Sequence, residues 1–261
     1  MPLTLAHPIA AIPLRRPLGR LGVLSALVIG SIMPDVPLFL PLSLNRNVTH
    51  SLFGVFWFCL PVGAGAYLLF DRVLERPLRA LMPEAVQRRL PPQGVARPAA
   101  WSPAVLVSIV AGAVTHVVWD AFTHGESVAA RLFPVIETRL FAVSGYTVYL
   151  FTVLQHASSA IGTLVMAAWI ARWYRTAPQV PLETPGLTPK VRRWLLLGLG
   201  LVVLAAAVSG GASRFPEVPT LRALQRFGRA VIVAALSSLG VVVTLYGVIW
   251  HWMRARSARE T

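Results

Sequence analysis

Six stretches of this chain, at about 21–40, 51–70, 104–122, 148–171, 194–212 and 229–252, run apolar for close to 20 residues with hardly a charge among them. That length matches the hydrocarbon thickness of a bilayer. Inside a bilayer each backbone N–H and C=O must bond within its own segment or a closed barrel. The fold class that follows is all-α: a polytopic membrane protein of about six transmembrane helices. Only 13% of the residues are charged, against about a quarter in soluble domains.

A net charge of +14 would suit a nucleic-acid binder, but the charges are placed otherwise. With the N-terminal segment in the cytoplasm, 17 of the 24 Lys and Arg fall on that side and 7 on the other, which is the positive-inside bias. The basic balance therefore sets topology, and no nucleic acid is called for. The expected location is the plasma (bacterial inner) membrane, crossed several times, with the N-terminal segment and the C-terminus cytoplasmic. A cleaved signal peptide is not expected, because Pro34 and Asp35 follow the apolar run 21–33 where small residues would be needed. Cys59 is the only cysteine, which excludes an intrachain disulfide and a thiolate metal site.

The chain reads as two parts. Residues 1–171 hold four spans and five of the six histidines, and form the expected metal-site domain. Residues 172–193, with "RTAPQVPLETPGLTPK", read as a cytoplasmic linker. Residues 194–252 form a membrane hairpin whose two spans carry no acidic residue, and 253–261 a basic cytoplasmic tail. A similar polar interruption, "RRLPPQGVARP", separates spans two and three. His251, between Trp250 and Trp252, reads as an interfacial anchor.

The segment "GAVTHVVWDAFTHGES" (112–127) breaks the apolar pattern. Ionisable groups within spans cost of order 2.5–3.5 kcal/mol and default to a functional reading. His116, Asp120 and His124 follow at i, i+4 and i+8, so they share a helix face, and neighbours at that spacing can chelate one ion. His116 and His124 lie about 12 Å apart along a straight helix, too far to share an ion. A mononuclear site would use Asp120 with one of them plus His50, His156 or Asp35. A dinuclear site could use all three, with Asp120 bridging. Asp35 ends the first span, His50 precedes the second, and His156 lies in the outer half of the fourth, at about the depth of His116. Polar groups from four helices thus converge on one side of the membrane. His7, in "TLAHPIAAIPLRR", precedes too few residues to span, and a re-entrant half-helix would bring it to the cluster. Glu126, in "THGESV", stays open as ligand, general base or surface charge. Thr49, Thr115 and Thr123 each precede a histidine and can steady it by hydrogen bonding.

Imidazole and carboxylate ligands without thiolate suit a divalent metal, Zn²⁺ first and Mn²⁺ or Fe²⁺ next. Zinc lowers the pKa of a bound water to about 7, so hydrolysis of an ester, amide or phosphoester is the expected chemistry. His116, Asp120, His50 and Asp35 are the preferred ligands, with His156, His124 or Glu126 as the remaining ligand or the general base. Membrane lipid is the surrounding partner, and a lipid or phosphoester the expected substrate. Two other readings stand beside this one: a non-enzymatic metal- or proton-binding protein (sensor or carrier), and a structural protein whose cluster only fixes helix packing. The inner halves of the spans are almost uniformly apolar, which disfavours a carrier, since carriers place polar groups on both sides of the midplane.

Five segments, "TLAHPIAAIPL", "ALVIGSIMPDVPLFL", "VTHSLFGVFWFCLP", "GAVTHVVWDAFTHGESV" and "YLFTVLQHASSAIG", together resemble the DUF4184 family of bacterial membrane proteins over about residues 1–171. More distantly the chain is similar to the predicted membrane-bound metal-dependent hydrolases. Those carry an N-terminal His, a P-D-x-D-H segment, an H-x-x-x-T-H-S segment and an S-H-x-x-x-D-x-x-T segment. That resemblance implies roles at the metal for His7, Asp35, His50, His116 and Asp120. This chain departs at Val36-Pro37-Leu38, where the second Asp and the His are missing, and it has Arg46 near the place of a further His. His124 and His156 are extra and would replace the lost ligands. A fainter similarity, at motif level, links H-x-x-x-D and a downstream His to zinc-dependent phospholipase C.

Overall fold

The structure is a computed structural model that describes residues 6–40, 44–92, 97–143, 146–182, 186–216, 220–257 and 259. Parts of the expected linker (183–185), of the polar interruption (93–96) and of the basic tail (258, 260–261) lie outside the described residues. The described chain is helical almost throughout, which bears out the all-α membrane fold. It divides into two compact units, Met1–Tyr67 with Pro98–Trp173 and Leu68–Arg97 with Tyr174–Thr261.

The first apolar stretch is not the continuous span its composition suggests. It forms a helix, α1, over Leu24–Gly30, and then a 3₁₀ segment over Met33–Leu38. Pro34 and Pro37 account for the break. Each lacks an N–H, and each steers the residue before it away from α-helical geometry. Five helices follow: α2, Leu52–Leu81; α3, Pro103–Thr123; α4, Leu150–Thr176; α5, Pro189–Ala212; and α6, Leu221–Ser257. Each of these five is long and apolar enough to cross a membrane. Ahead of α1, the residues from Pro8 to Leu21 make four short helical turns instead of one helix. Pro8, Pro13 and Pro17 keep them short.

Within α2 the ladder widens to π-helical geometry over Val55–Cys59, where the Leu60 N–H reaches back to Val55 O. Pro61, one residue further on, has no N–H to continue the i→i−4 pattern, and its ring crowds the preceding turn. Before α4 the chain forms a two-stranded antiparallel hairpin, β1 (Arg139–Val143) and β2 (Tyr146–Tyr149), with Phe141 opposite Val148 and a bulge between Arg139 and Phe141. Tyr, Val and Thr favour extended backbone, so the fourth span starts at Leu150, after a strand that composition alone merges with it.

In the first unit α1 lies directly against α3. A Cβ on Gly30 would come within 2.2 Å of Ile109 O, and one on Gly112 within 2.3 Å of Leu27 O. Small residues let membrane helices approach closely enough to gain packing without a hydrophobic drive from water. Ser108 fastens the start of α1 to the same helix: the Val23 N–H donates to its Oγ at 2.9 Å, and its hydroxyl donates to Leu21 O at 2.7 Å. Ala26, Ala64, Tyr67, Val105 and Ile109 make one core cluster, and Met33, Val55, Phe58, Cys59 and Ala113 a second.

In the second unit α5 packs on α6 through Gly210 and Gly211, whose absent Cβ atoms leave room for Ala234 and Val231. Arg97 bridges Glu75 at 3.1 Å and Asp71 at 3.7 Å, and Arg79 pairs with Glu75 at 3.2 Å. The stretch between α4 and α5 has no regular structure at 178–182 or 186–188.

The α1–α3 contact yields a prediction. Gly112→Val forces the two backbones apart, at about 1–3 kcal/mol for overpacking. The melting temperature of the detergent-solubilised protein should fall, read by tryptophan fluorescence, while Gly65→Val, with open space around its Cβ, leaves it nearly unchanged.

Candidate metal centre

The 3₁₀ turn, the single helical turn before α2 and the C-terminal part of α3 build the site. Asp35 sits on that turn and is 3% exposed. His50 closes the single helical turn Arg46–Thr49, whose Asn45 side chain accepts from the Asn47 N–H. His116 and Asp120 lie one turn apart on α3, at 0% and 4% exposure. His50 Nε2 is 3.3 Å from His116 Nε2, from Asp35 Oδ1 and from Asp120 Oδ2. His116 Nε2 is 3.7 Å from Asp35 Oδ1 and 3.5 Å from Asp120 Oδ2. One donor atom from each of the four residues falls within 4.8 Å of the others.

The other ring nitrogens settle which way these imidazoles face. His116 Nδ1 is 2.8 Å from Ser31 O. A carbonyl only accepts, so Nδ1 carries the proton and Nε2 turns its lone pair into the cluster. His50 Nδ1 likewise faces Arg46 O at 3.2 Å, with Thr49 Oγ1 at 3.0 Å. Two imidazole Nε2 atoms and two carboxylates therefore point at one another in a buried space, an arrangement that positive charge, from a proton or a metal ion, stabilises. Burial opposes charge on His50, but its hydrogen bonds to Asp120 and Asp35 outweigh this and raise its pKa above the ordinary value.

The donor set fits a metal ion. Four donors arranged tetrahedrally at zinc's N and O bond lengths stand about 3.3–3.6 Å apart, close to the 3.3–3.7 Å of the five separations that involve a histidine here, within a group whose donors all lie within 4.8 Å. Holding each ligating imidazole by its other nitrogen is also how metal sites fix ring orientation.

Arg46 is the participant that sequence reasoning missed. Its guanidinium is hydrogen-bonded to Asp120 Oδ2 and its side chain is 39% exposed, so it reaches the cluster from the surface. The signal for it is its place four residues before His50, one turn of helix away.

His7 is buried at 1% exposure, stacked on His116 with ring centroids 3.8 Å apart, and its Nε2 is 3.6 Å from Asp120 Oδ1. The N-terminal segment thus does deliver it to the cluster. His124 also comes close, because α3 stops at Thr123 and His124 has extended backbone (φ −132, ψ 145). Its Nδ1 turns back to Asp120, 3.1 Å from the backbone O and 3.7 Å from Oδ1. Its Nε2 lies 3.3 Å from the Gln155 amide nitrogen, which can donate to it. Burial, the largest influence, holds its pKa below the usual imidazole value.

Two expected residues are not brought in. His156 is exposed on α4, and the neighbouring Gln155, 8% exposed, faces the cluster instead. One residue turns a helix by about 100°, so a correct depth did not ensure a correct face. Glu126 is exposed, has a left-handed backbone (φ 57), and its N–H donates to Glu137 Oε1 at 2.7 Å. Of the three threonines, Thr49 and Thr123 lie beside the following histidine, at 3.0 and 3.4 Å, whereas Thr115 donates to Gly112 O.

A family model described as a domain of unknown function, DUF4184, matches residues 1–248. The chain belongs to this family. The match to DUF4184 extends past residue 171 through α5 and into α6, so the C-terminal hairpin is part of what DUF4184 members share. No curated protein and no solved structure matches the chain.

Thr49→Val removes the hydroxyl beside His50 Nδ1 and should weaken zinc binding about 10-fold, the low end for losing a group that orients a ligand. Titration of metal-stripped protein against a zinc indicator measures this. Thr115→Val and His156→Ala should titrate like the wild type.

Proposed function

We propose that this DUF4184 chain is a membrane-bound metal-dependent hydrolase. Its ion is held by Asp35, His50, His116 and Asp120, and its substrate is a phosphoester or lipid ester presented at the outer half of the membrane. The observation that carries the reading is the facing of two imidazole Nε2 atoms and two carboxylates, one donor atom from each within 4.8 Å of the others, among apolar helices. Zinc is the preferred ion for such a donor set, with manganese or iron next. The side of the membrane follows from the charge bias of the connecting segments.

When bound, the ion supplies Lewis acidity toward an ester or phosphoryl oxygen and toward water. The chain's own groups do the rest. Ser31 O and Arg46 O hold the His116 and His50 rings in register. Arg46 offsets the charge of Asp120 and, being half-exposed, offers a guanidinium to an anionic phosphoester. Of the three residues expected to handle protons, His124 is the one within reach of Asp120, steadied by Gln155.

A second reading has an observation of its own. Four protein donors already make a full ligand set for zinc, and closed sites are structural more often than catalytic. In that case the ion fixes the helix ends of a non-enzymatic metal-binding protein.

Elemental mass spectrometry on the detergent-purified protein tests the metal, and hydrolysis of a fluorogenic phospholipid in mixed vesicles tests the reaction. At least one equivalent of zinc, manganese or iron is expected in the wild type, with the ion of the four-residue group lost in His116→Ala and Asp120→Asn. Hydrolysis should stop on chelation and return with metal. Bound metal without metal-dependent hydrolysis of any ester tried would favour the second reading. No metal, before or after reconstitution, would remove both.

A further inference from the structure

We infer that the centre is dinuclear. Asp120 bridges two divalent ions, with His7 holding the second one on the side of the carboxylate away from His50. This rests on the metal reading of the first group and extends it, because the four residues of that group leave His7 and one oxygen of Asp120 unexplained.

Both ring nitrogens of His7 and Oδ1 of Asp120 are buried without a hydrogen-bond partner among the described residues. At 3.6 Å, His7 Nε2 and Asp120 Oδ1 are too far apart for a hydrogen bond. The same separation is what two donors show when each lies about 2.1 Å from one ion. Asp120 is thus used on two sides. Its Oδ2 faces His50, His116 and Arg46, while its Oδ1 faces His7 and, at 3.7 Å, His124.

The stacking of His7 on His116 gives the spacing. The rings are nearly parallel, 18° apart, with centroids 3.8 Å from each other. An ion lies in the plane of the imidazole that binds it, and each ring presents Nε2 to a different oxygen of the same carboxylate. Ions held in such neighbouring, nearly parallel planes suit the separation of about 3.5–4 Å that two-metal hydrolytic sites use. The second position has fewer protein donors than the first, because His124 Nδ1 is occupied by Asp120 O. It therefore keeps coordination places for substrate or water, as a catalytic ion requires.

The fold holds His7 where this needs it. The residue leads the short helix Pro8–Ala11, with the Ala10 N–H donating to His7 O at 3.0 Å. That segment lies close to α4 at Gly162, where a Cβ would come within 3.2 Å of Ala6 Cβ and 3.5 Å of Ile9.

The test uses full-length protein in detergent, stripped with chelator and reconstituted with Mn²⁺. Ions per chain are counted by elemental mass spectrometry, and spin coupling is read by electron paramagnetic resonance. The wild type should hold two ions per chain and give an exchange-coupled spectrum. His7→Ala and the size-conserving His7→Gln should hold one ion with an isolated six-line spectrum, and Asp120→Asn should lose the coupling altogether. One ion per chain in the wild type overturns the proposal and leaves the four-residue site standing, and this holds even if a His7 variant fails to fold. Two coupled ions in either folded His7 variant overturn it as well. No ion in the wild type removes this proposal together with the metal reading beneath it.

Discussion

A carboxylate buried in an apolar helix is the constraint to which the first unit answers. Asp120 is 4% exposed, and burying it uncompensated would cost more than a single helix contact returns. The fold surrounds it with groups from four segments: His7 from the N-terminal turns, Arg46 and His50 from the turn before α2, His116 one turn back on its own helix, and His124 just past that helix's end. Asp35 adds a second carboxylate beside His50 and His116, and together these residues make a group that could hold a metal ion.

The packing of α1 on α3 makes that convergence possible. Gly30 and Gly112 bring the two backbones together, which sets Ser31 O at hydrogen-bonding distance from His116 Nδ1. The prolines that end α1 early turn the chain so that Asp35 meets the same ring from the other side. A continuous first helix would carry Asp35 along its own axis instead. The broken span is therefore part of how the centre is assembled, and polar backbone at such a break is tolerated where it is buried against protein.

Sequence and structure part company where a rotation or an ending matters. The depth of the fourth span pointed to His156, yet Gln155 faces inward, because helix depth and helix face are independent quantities. His124 was placed on a straight helix, but α3 ends one residue earlier and the ring turns back. Arg46, which stands near the place of a missing His, is a cation bonded to Asp120 Oδ2. The hairpin before α4 carries residues apolar enough to merge into a span by composition. Its β-branched and aromatic content was the signal available.

What the sequence by itself determined is the solvent of the fold and the chemistry of its polar minority. Runs of about 20 apolar residues require helices in a bilayer, and the i, i+4 spacing of His116 and Asp120 requires one shared face. DUF4184 membership was legible in the motifs of the first 171 residues, although the match reaches residue 248. Only the tertiary structure decided which of the six histidines meet, which oxygen of Asp120 each one faces, and that an arginine joins them. Those outcomes depend on how helices rotate and where they stop. Close backbone approaches and unsatisfied polar groups settle such choices between segments far apart in sequence, and periodicity along one segment carries no record of them.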